Sequence, residues 1–276
     1  MKIICILAFF LFVGNASAYQ AYIDNENAYG STIYGNYFWI DDSINDEKYL
    51  VSHTDGAYLP FRYSSLSRNG QSSVKIQIPS SRNGIPNSSF PYNRSEIQLP
   101  GLPLEQEHWV KFSVYFQSEF PDPDDWLCFF QVWQEYAGTP PIGLYLNENS
   151  ELRVNIRNDA TLTGPALNLY TDTNQIRKGE WIDFVMSFRG SLDTEGYLKV
   201  WRKPASSACY ESIVDRSQIS IGKSVLPNDE VAQELVIYPK FGLYRAGSNL
   251  NHQVWFDEIK YNETGPLFYS TPPLCQ

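Results

Sequence analysis

Apolar and aromatic residues recur along this chain in short alternating runs separated by clusters of Gly, Pro, Asn, Asp and Ser, and no segment sustains a 3.6-residue stripe. That spacing predicts strands rather than helices. The clearest runs are Val74 to Ile78, Arg94 to Leu99, Trp109 to Phe116, Trp126 to Trp133, Ile142 to Leu146, Glu151 to Arg157, Trp181 to Phe188, Gly196 to Trp201, Tyr238 to Arg245 and Val254 to Tyr261. About ten antiparallel strands predict an all-β sandwich or jelly roll of two sheets.

Period-2 alternation separates a core face from a polar one. Val110, Phe112, Val114 and Phe116 form one face of their strand, opposite Lys111, Ser113 and Tyr115; Leu152, Val154 and Ile156 oppose Arg153, Asn155 and Arg157. Phe241 and Leu243 likewise oppose Tyr238, Lys240, Gly242 and Tyr244. Carboxylates gather instead between strands, at Asp41 to Glu47 and Asp122 to Asp125. The cations thus lie on strand faces, as expected either of ordinary solvated positions or of a surface that meets an anionic ligand.

With 43% hydrophobic and only 19% charged residues, the chain has enough apolar surface to fold. Its net charge of -10 excludes nucleic acid as the main partner, because phosphate binding needs clustered cations that outweigh nearby carboxylates. Residues 1–18 have the layout of a cleaved secretory signal: Lys2, an apolar run from Ile3 to Val13, then Ala16-Ser17-Ala18. The run is about half the length that a membrane span needs. Removing residues 1–18 from 276 leaves 258, expected to form one secreted, extracellular domain over residues 19–276 that does not insert in membranes and acts as a monomer.

Of the remaining cysteines, Cys128 lies in an apolar run and is expected as a buried free thiol, whereas Cys209 and Cys275 sit in polar surroundings where pairing is possible. No Cys/His spacing suggests zinc. The acidic stretch Asp122 to Asp125 offers calcium ligands, but beside prolines it is more simply a solvated turn, so no cofactor is expected. Sequons at Asn87, Asn93 and Asn262 would suit a secreted glycoprotein.

Three motifs, in this order, resemble jelly-roll polysaccharide lyases. Arg94-Ser95-Glu96-Ile97 resembles the Arg-Ser/Thr-Glu-Leu strand of alginate lyases, Gln131-Val132-Trp133 their Gln-Ile-His strand, and Tyr238-Pro239-Lys240-Phe241-Gly242-Leu243-Tyr244 their YFKxGxY strand. Likeness to the heparin lyase I and glucuronan lyase group runs from about Asp55 to Tyr261, through the Lys178-Gly179-Glu180-Trp181 strand entry and the closing Val254 to Ile259. The resemblance implies a concanavalin-like fold and β-elimination next to a uronic acid in an anionic polysaccharide.

By that resemblance Arg94 and Gln131 would bind and polarise the sugar carboxylate. Tyr244 would protonate the leaving oxygen and, if neighbouring cations lower its pKa, also take the C5 proton; Lys240 would be the cation that lowers it. Glu96 would orient Arg94. Trp133 stands where the family carries a histidine, and is either a sugar-stacking platform or core filling. His53, His108 and His252 are the histidines of the chain, and His53, in a turn-like stretch, is the first choice as a replacement. Tyr238, Lys111, Tyr115, Arg153, Asn155 and Arg157 would add sugar contacts. Two alternatives stay open: a carbohydrate-binding protein on the same fold, and a glycoside hydrolase pairing Glu96 with Glu135 or Asp183.

Overall fold

The computed structural model describes residues 37–42, 47–53, 58–63, 65–69, 73–80, 92–134, 139–161, 165–224, 235–262 and 272–275, with backbone alone for 37–63 and 262. The signal-like segment, Asn87 and Glu135 lie outside the described residues. In chain order the strands are β1 (Tyr37–Asp42), β2 (Glu47–His53), β3 (Tyr58–Tyr63), β4 (Ser73–Ile78), β5 (Tyr92–Gln98), β6 (Leu102–Pro103), β7 (Glu107–Phe116) and β8 (Leu127–Gln134). There follow β9 (Ile142–Leu146), β10 (Glu151–Ile156), β11 (Leu167–Gln175), β12 (Trp181–Arg189), β13 (Ser191–Pro204), β14 (Glu211–Ile221), β15 (Val236–Ala246) and β16 (His252–Asn262).

These strands form two antiparallel sheets, as the alternation predicts. One runs β1-β2-β5-β15-β8-β9-β10-β11, with β6 beside β15; the other runs β14-β13-β12-β7-β16-β4-β3. Inward residues of both sheets share one core. At its centre the Phe112 ring lies 5.1 Å from Phe130, 5.3 Å from Phe184 and 5.2 Å from Phe241, three strands of two sheets meeting on one aromatic side chain.

Every expected run is a strand. The alternation does not reveal the sheet-edge strands β11 and β14, whose polar residues are mostly exposed, so neither shows a one-sided apolar pattern. Conversely, β12 is buried at eight of its nine positions because its outer face is also covered, with Val185 packed against Trp201 and Tyr210. Asp41 and Asp42 belong to β1 rather than to a loop, with Asp42 opposite Glu47.

Two placements correct the expected polar surface. Lys111 and Tyr115 lie on β7, in the middle of the second sheet, so they do not share a surface with Arg94 or Tyr244. Alternation identifies their face as the outer one, but sheet membership is fixed by long-range pairing that it does not encode. Tyr115 is enclosed by Trp181 at 5.5 Å and Trp255 at 5.8 Å.

Cys209 and Cys275 form a disulfide and Cys128 is free and buried. Asn93 is 2% exposed and opposite the buried Arg245, which leaves no room for a glycan on it in the folded chain.

Candidate active site

Strand β15 organises the open face of the first sheet. Its alternate residues Tyr238, Lys240, Gly242 and Tyr244 are in register with Gln98 (Lys240), Glu96 (Gly242) and Arg94 (Tyr244) on β5, and with Trp133 (Tyr238), Gln131 (Lys240) and Cys128 (Tyr244) on β8. Opposed residues of antiparallel strands project to the same side, so all three motifs converge on one surface.

Gly242 explains the glycine of its motif. Its φ is +151°, which disfavours an L side chain. A Cβ there would stand 2.2 Å from the Ser95 carbonyl oxygen. A register shift between Phe241 and Tyr244 brings Tyr244 opposite Cys128, and a second between Cys128 and Phe130 turns both Phe129 and Phe130 into the core. Cys128 thereby leaves the core side, and its buried thiol lies against Tyr145.

Tyr244 is walled by aromatic rings: Trp126 at 5.0 Å and Tyr92 at 5.7 Å, both edge-on. The Arg94 guanidinium lies over the Tyr244 ring at 4.4 Å, a cation that favours the ionised phenol. Burial nevertheless outweighs the cation and pushes the Tyr244 phenol above its ordinary value, against the expectation of a lowered pKa. It therefore keeps its proton at neutral pH, and the cation acting on it is Arg94 rather than Lys240.

Lys240 belongs to a second, deeper cluster. It is 3% exposed, its ammonium sits 4.4 Å over the Trp133 ring, and Trp133 leans on Tyr238 at 5.7 Å. Burial lowers the Lys240 pKa to about 8, with Arg94 acting in the same direction and Glu96 opposing. Glu96 accepts from the Gln131 amide, and both are 2% exposed. Gln131 thus gives its amide to Glu96, and the second carboxylate oxygen of Glu96 has no hydrogen-bond partner among the described residues. Half-buried Trp133 acts here as a cap over Lys240.

A cleft of ≈ 560 Å³ opens beside Tyr244 and runs to β10. It is lined by Tyr92, Trp126, Tyr145 and Tyr244 near one end and by Arg153, Asn155, Arg157 and Asn168 along the other. Thr139, also in its wall, accepts from the buried Lys223 ammonium. Neither the motifs nor the alternating faces mark Tyr92, Trp126, Tyr145, Asn168 or Lys223 as site residues. Tyr92 was legible, since it stands two residues before Arg94 on the same strand; Trp126 and Tyr145 fall in apolar runs, where an aromatic ring reads as core, and Lys223 follows a strand, where alternation is silent.

The remaining expected residues lie elsewhere. His108 and His252 are fully buried and hydrogen-bonded to the Pro103 and Pro121 carbonyls, so neither serves the cleft. His53 ends β2 with its backbone opposite Ser95, and its side chain lies outside the described residues. Asp183, on β12 of the other sheet, is held by Arg68 at 3.0 Å, Ser113 at 2.7 Å and Lys203 at 3.4 Å, which removes it as a hydrolase partner for Glu96. Asp122 binds Lys178 at 2.8 Å and Asp124 accepts from Ser248 at 2.6 Å.

Comparison with known proteins adds family and fold. A family model described as polysaccharide lyase matches residues 42–260. Among solved structures, an endo-β-1,4-glucuronan lyase from the fungus Trichoderma reesei superimposes with a TM-score of 0.61 at 16% identity, covering 83% of this chain and 96% of its own. A marine alginate lyase from Aplysia kurodai gives 0.54 at 8% identity, covering 74% of this chain and 87% of its own. No curated protein matches the sequence.

Proposed function

Because the chain belongs to the polysaccharide lyase family, we propose that it cleaves a uronic-acid-containing polysaccharide by β-elimination in the cleft beside Tyr244. The observation that carries this proposal is the Arg94 guanidinium stacked on a protonated Tyr244 phenol, at the end of a groove whose far wall bears Arg153 and Arg157. Glucuronan and alginate, named for the two solved neighbours, are both polyuronates.

In this mechanism Arg94 pairs with the sugar carboxylate and stabilises the charge that spreads onto it as the C5 proton leaves. The C4–O4 bond then breaks, a C4–C5 double bond forms, and the Tyr244 hydroxyl gives its proton to the departing oxygen. A phenol raised above its ordinary pKa suits the donor role. A separate group must take the C5 proton. Lys240, with its pKa brought down to about 8, is the candidate. His53 is the weaker choice, because its backbone is paired with Ser95, which is opposite the core residue Leu243, and not with Arg94 or Glu96. Replacing each by Ala separates them: loss of elimination in Lys240→Ala alone assigns the base.

Trp133, at the position where the related lyases carry histidine, favours one other function, non-catalytic carbohydrate binding in the same cleft. Formation of an unsaturated uronate product distinguishes the two. Export of the protein is supported by the run Ile3 to Val13 followed by Ala16-Ser17-Ala18, and by the Cys209–Cys275 disulfide.

A further inference from the structure

Strand β10 carries two buried polar atoms that no described residue satisfies: Nε of Arg153, a donor, and Oδ1 of Asn155, an acceptor. Both side chains are half-buried and line the cleft. They stand two residues apart on one face of the strand, about 6.6 Å along it. Buried polar groups without partners are costly, so a donor and an acceptor left unmet at a fixed spacing in one groove fit a ligand that brings both an acceptor and a donor.

We infer that Arg153 and Asn155 form a distal subsite for a second uronate residue, whose carboxylate accepts from Arg153 while a ring hydroxyl donates to the Asn155 carbonyl oxygen. The inference rests on the lyase proposal above and extends it to substrate length and class. Register sets the distance: Tyr244 is opposite Cys128, Cys128 opposite Tyr145, and Tyr145 opposite Arg153. Three strand spacings are about 14 Å, roughly the reach of three 1,4-linked pyranose rings. Tyr145 lies between them, one strand from Arg153, its ring folded over Gly143 where a Cβ would stand 2.3 Å from it, and offers sugar rings an apolar floor. Arg157, two residues beyond Asn155, adds positive charge to the same wall. The site therefore takes runs of contiguous uronate, and oligomers too short to reach Arg153 occupy only the Tyr244 end.

The test uses the full-length protein with oligouronides of defined length, a dimer and a hexamer, and the variants Arg153→Ala, Asn155→Ala and Asn155→Asp. On the hexamer, Arg153→Ala is expected to raise KM by about tenfold while kcat stays within about twofold, and on the dimer, which is too short to reach Arg153, KM should shift far less. Asn155→Asp, which sets a carboxylate against the uronate, should weaken hexamer use more than Asn155→Ala, and it carries the test if the arginine variant fails to fold. An unchanged KM on the hexamer, or equal losses on dimer and hexamer, overturns the subsite while leaving wild-type elimination intact. If the wild type yields no unsaturated product, the lyase proposal fails and retardation in polyuronate gels decides the subsite: reduced retardation of Arg153→Ala upholds it, and equal retardation overturns it.

Discussion

The Arg94 guanidinium lies 4.4 Å from the centre of the Tyr244 ring, in a pocket where burial keeps the phenol protonated despite that positive charge. Arginine is thus not the agent that ionises the tyrosine. In the proposed mechanism it is a fixed cation that pairs with the substrate carboxylate beside the Tyr244 hydroxyl. Tyr244→Phe should lower elimination by about 10²- to 10⁴-fold while polymer binding is retained. Arg94→Ala should lower binding and turnover together. Turnover kinetics with a separate binding assay check both, and a normally active Tyr244→Phe would exclude the phenol from the chemistry.

Gly242 shapes the bulge that sets Tyr244 against Arg94. At φ +151°, with the Ser95 carbonyl 2.2 Å from a would-be Cβ, Gly242→Ala forces β15 away from β5. The expected cost is about 1–3 kcal/mol of stability. Turnover should fall further than the small unfolded fraction explains, because Tyr244 moves with the strand. Denaturant unfolding and activity measured on the same preparation test this.

Lys240 should reveal itself in alkaline solution. Its pKa falls from 10.5 to about 8 on folding, so between those values the unfolded chain binds more protons and stability rises with pH. The destabilisation is complete below pH 8 and relieved as pH approaches 10.5. Relative to Lys240→Met, the wild type should gain up to ~3 kcal/mol across that window. A stability difference that stays flat with pH contradicts a buried, strained ammonium.

His252 controls the acid side. Burial, and then the neighbouring Arg245 cation, depress its pKa from 6.5 to about 3. The unfolded chain again binds more protons in between, so stability is fully present above pH 6.5 and drains as pH falls toward 3. The His252 contribution to that loss is of order 5 kcal/mol. His252→Gln, which keeps an acceptor for Arg245 but does not titrate, should flatten the acid limb of a stability–pH curve. An unchanged limb would place the acid-labile groups elsewhere.

The core strands were legible because each buries one face, as in the alternation of Phe112 with Ser113. Edge strands such as β11, polar on both sides, were not. Convergence of Arg94, Lys240 and Tyr244 on one surface followed from the motifs, yet Lys111 and Tyr115 were misplaced because sheet membership depends on pairing across long sequence distances. Local charge suggested a lowered Tyr244 pKa; burial by Tyr92 and Trp126, one of them outside any strand, reversed it. Cys128 sits in an apolar run but faces Tyr145 because a bulge at Phe129, which alternation does not foresee, shifts its side.

The most direct test of the central proposal is the ultraviolet absorbance of unsaturated uronate after the protein is incubated with glucuronan, alginate and a glycosaminoglycan, with a neutral β-glucan as control. A rising signal on at least one uronate polymer, absent with the β-glucan and lost in Tyr244→Phe, is the predicted result. Absence of signal on every uronate polymer, with binding to one of them retained, would contradict elimination and leave the cleft as a carbohydrate-binding site.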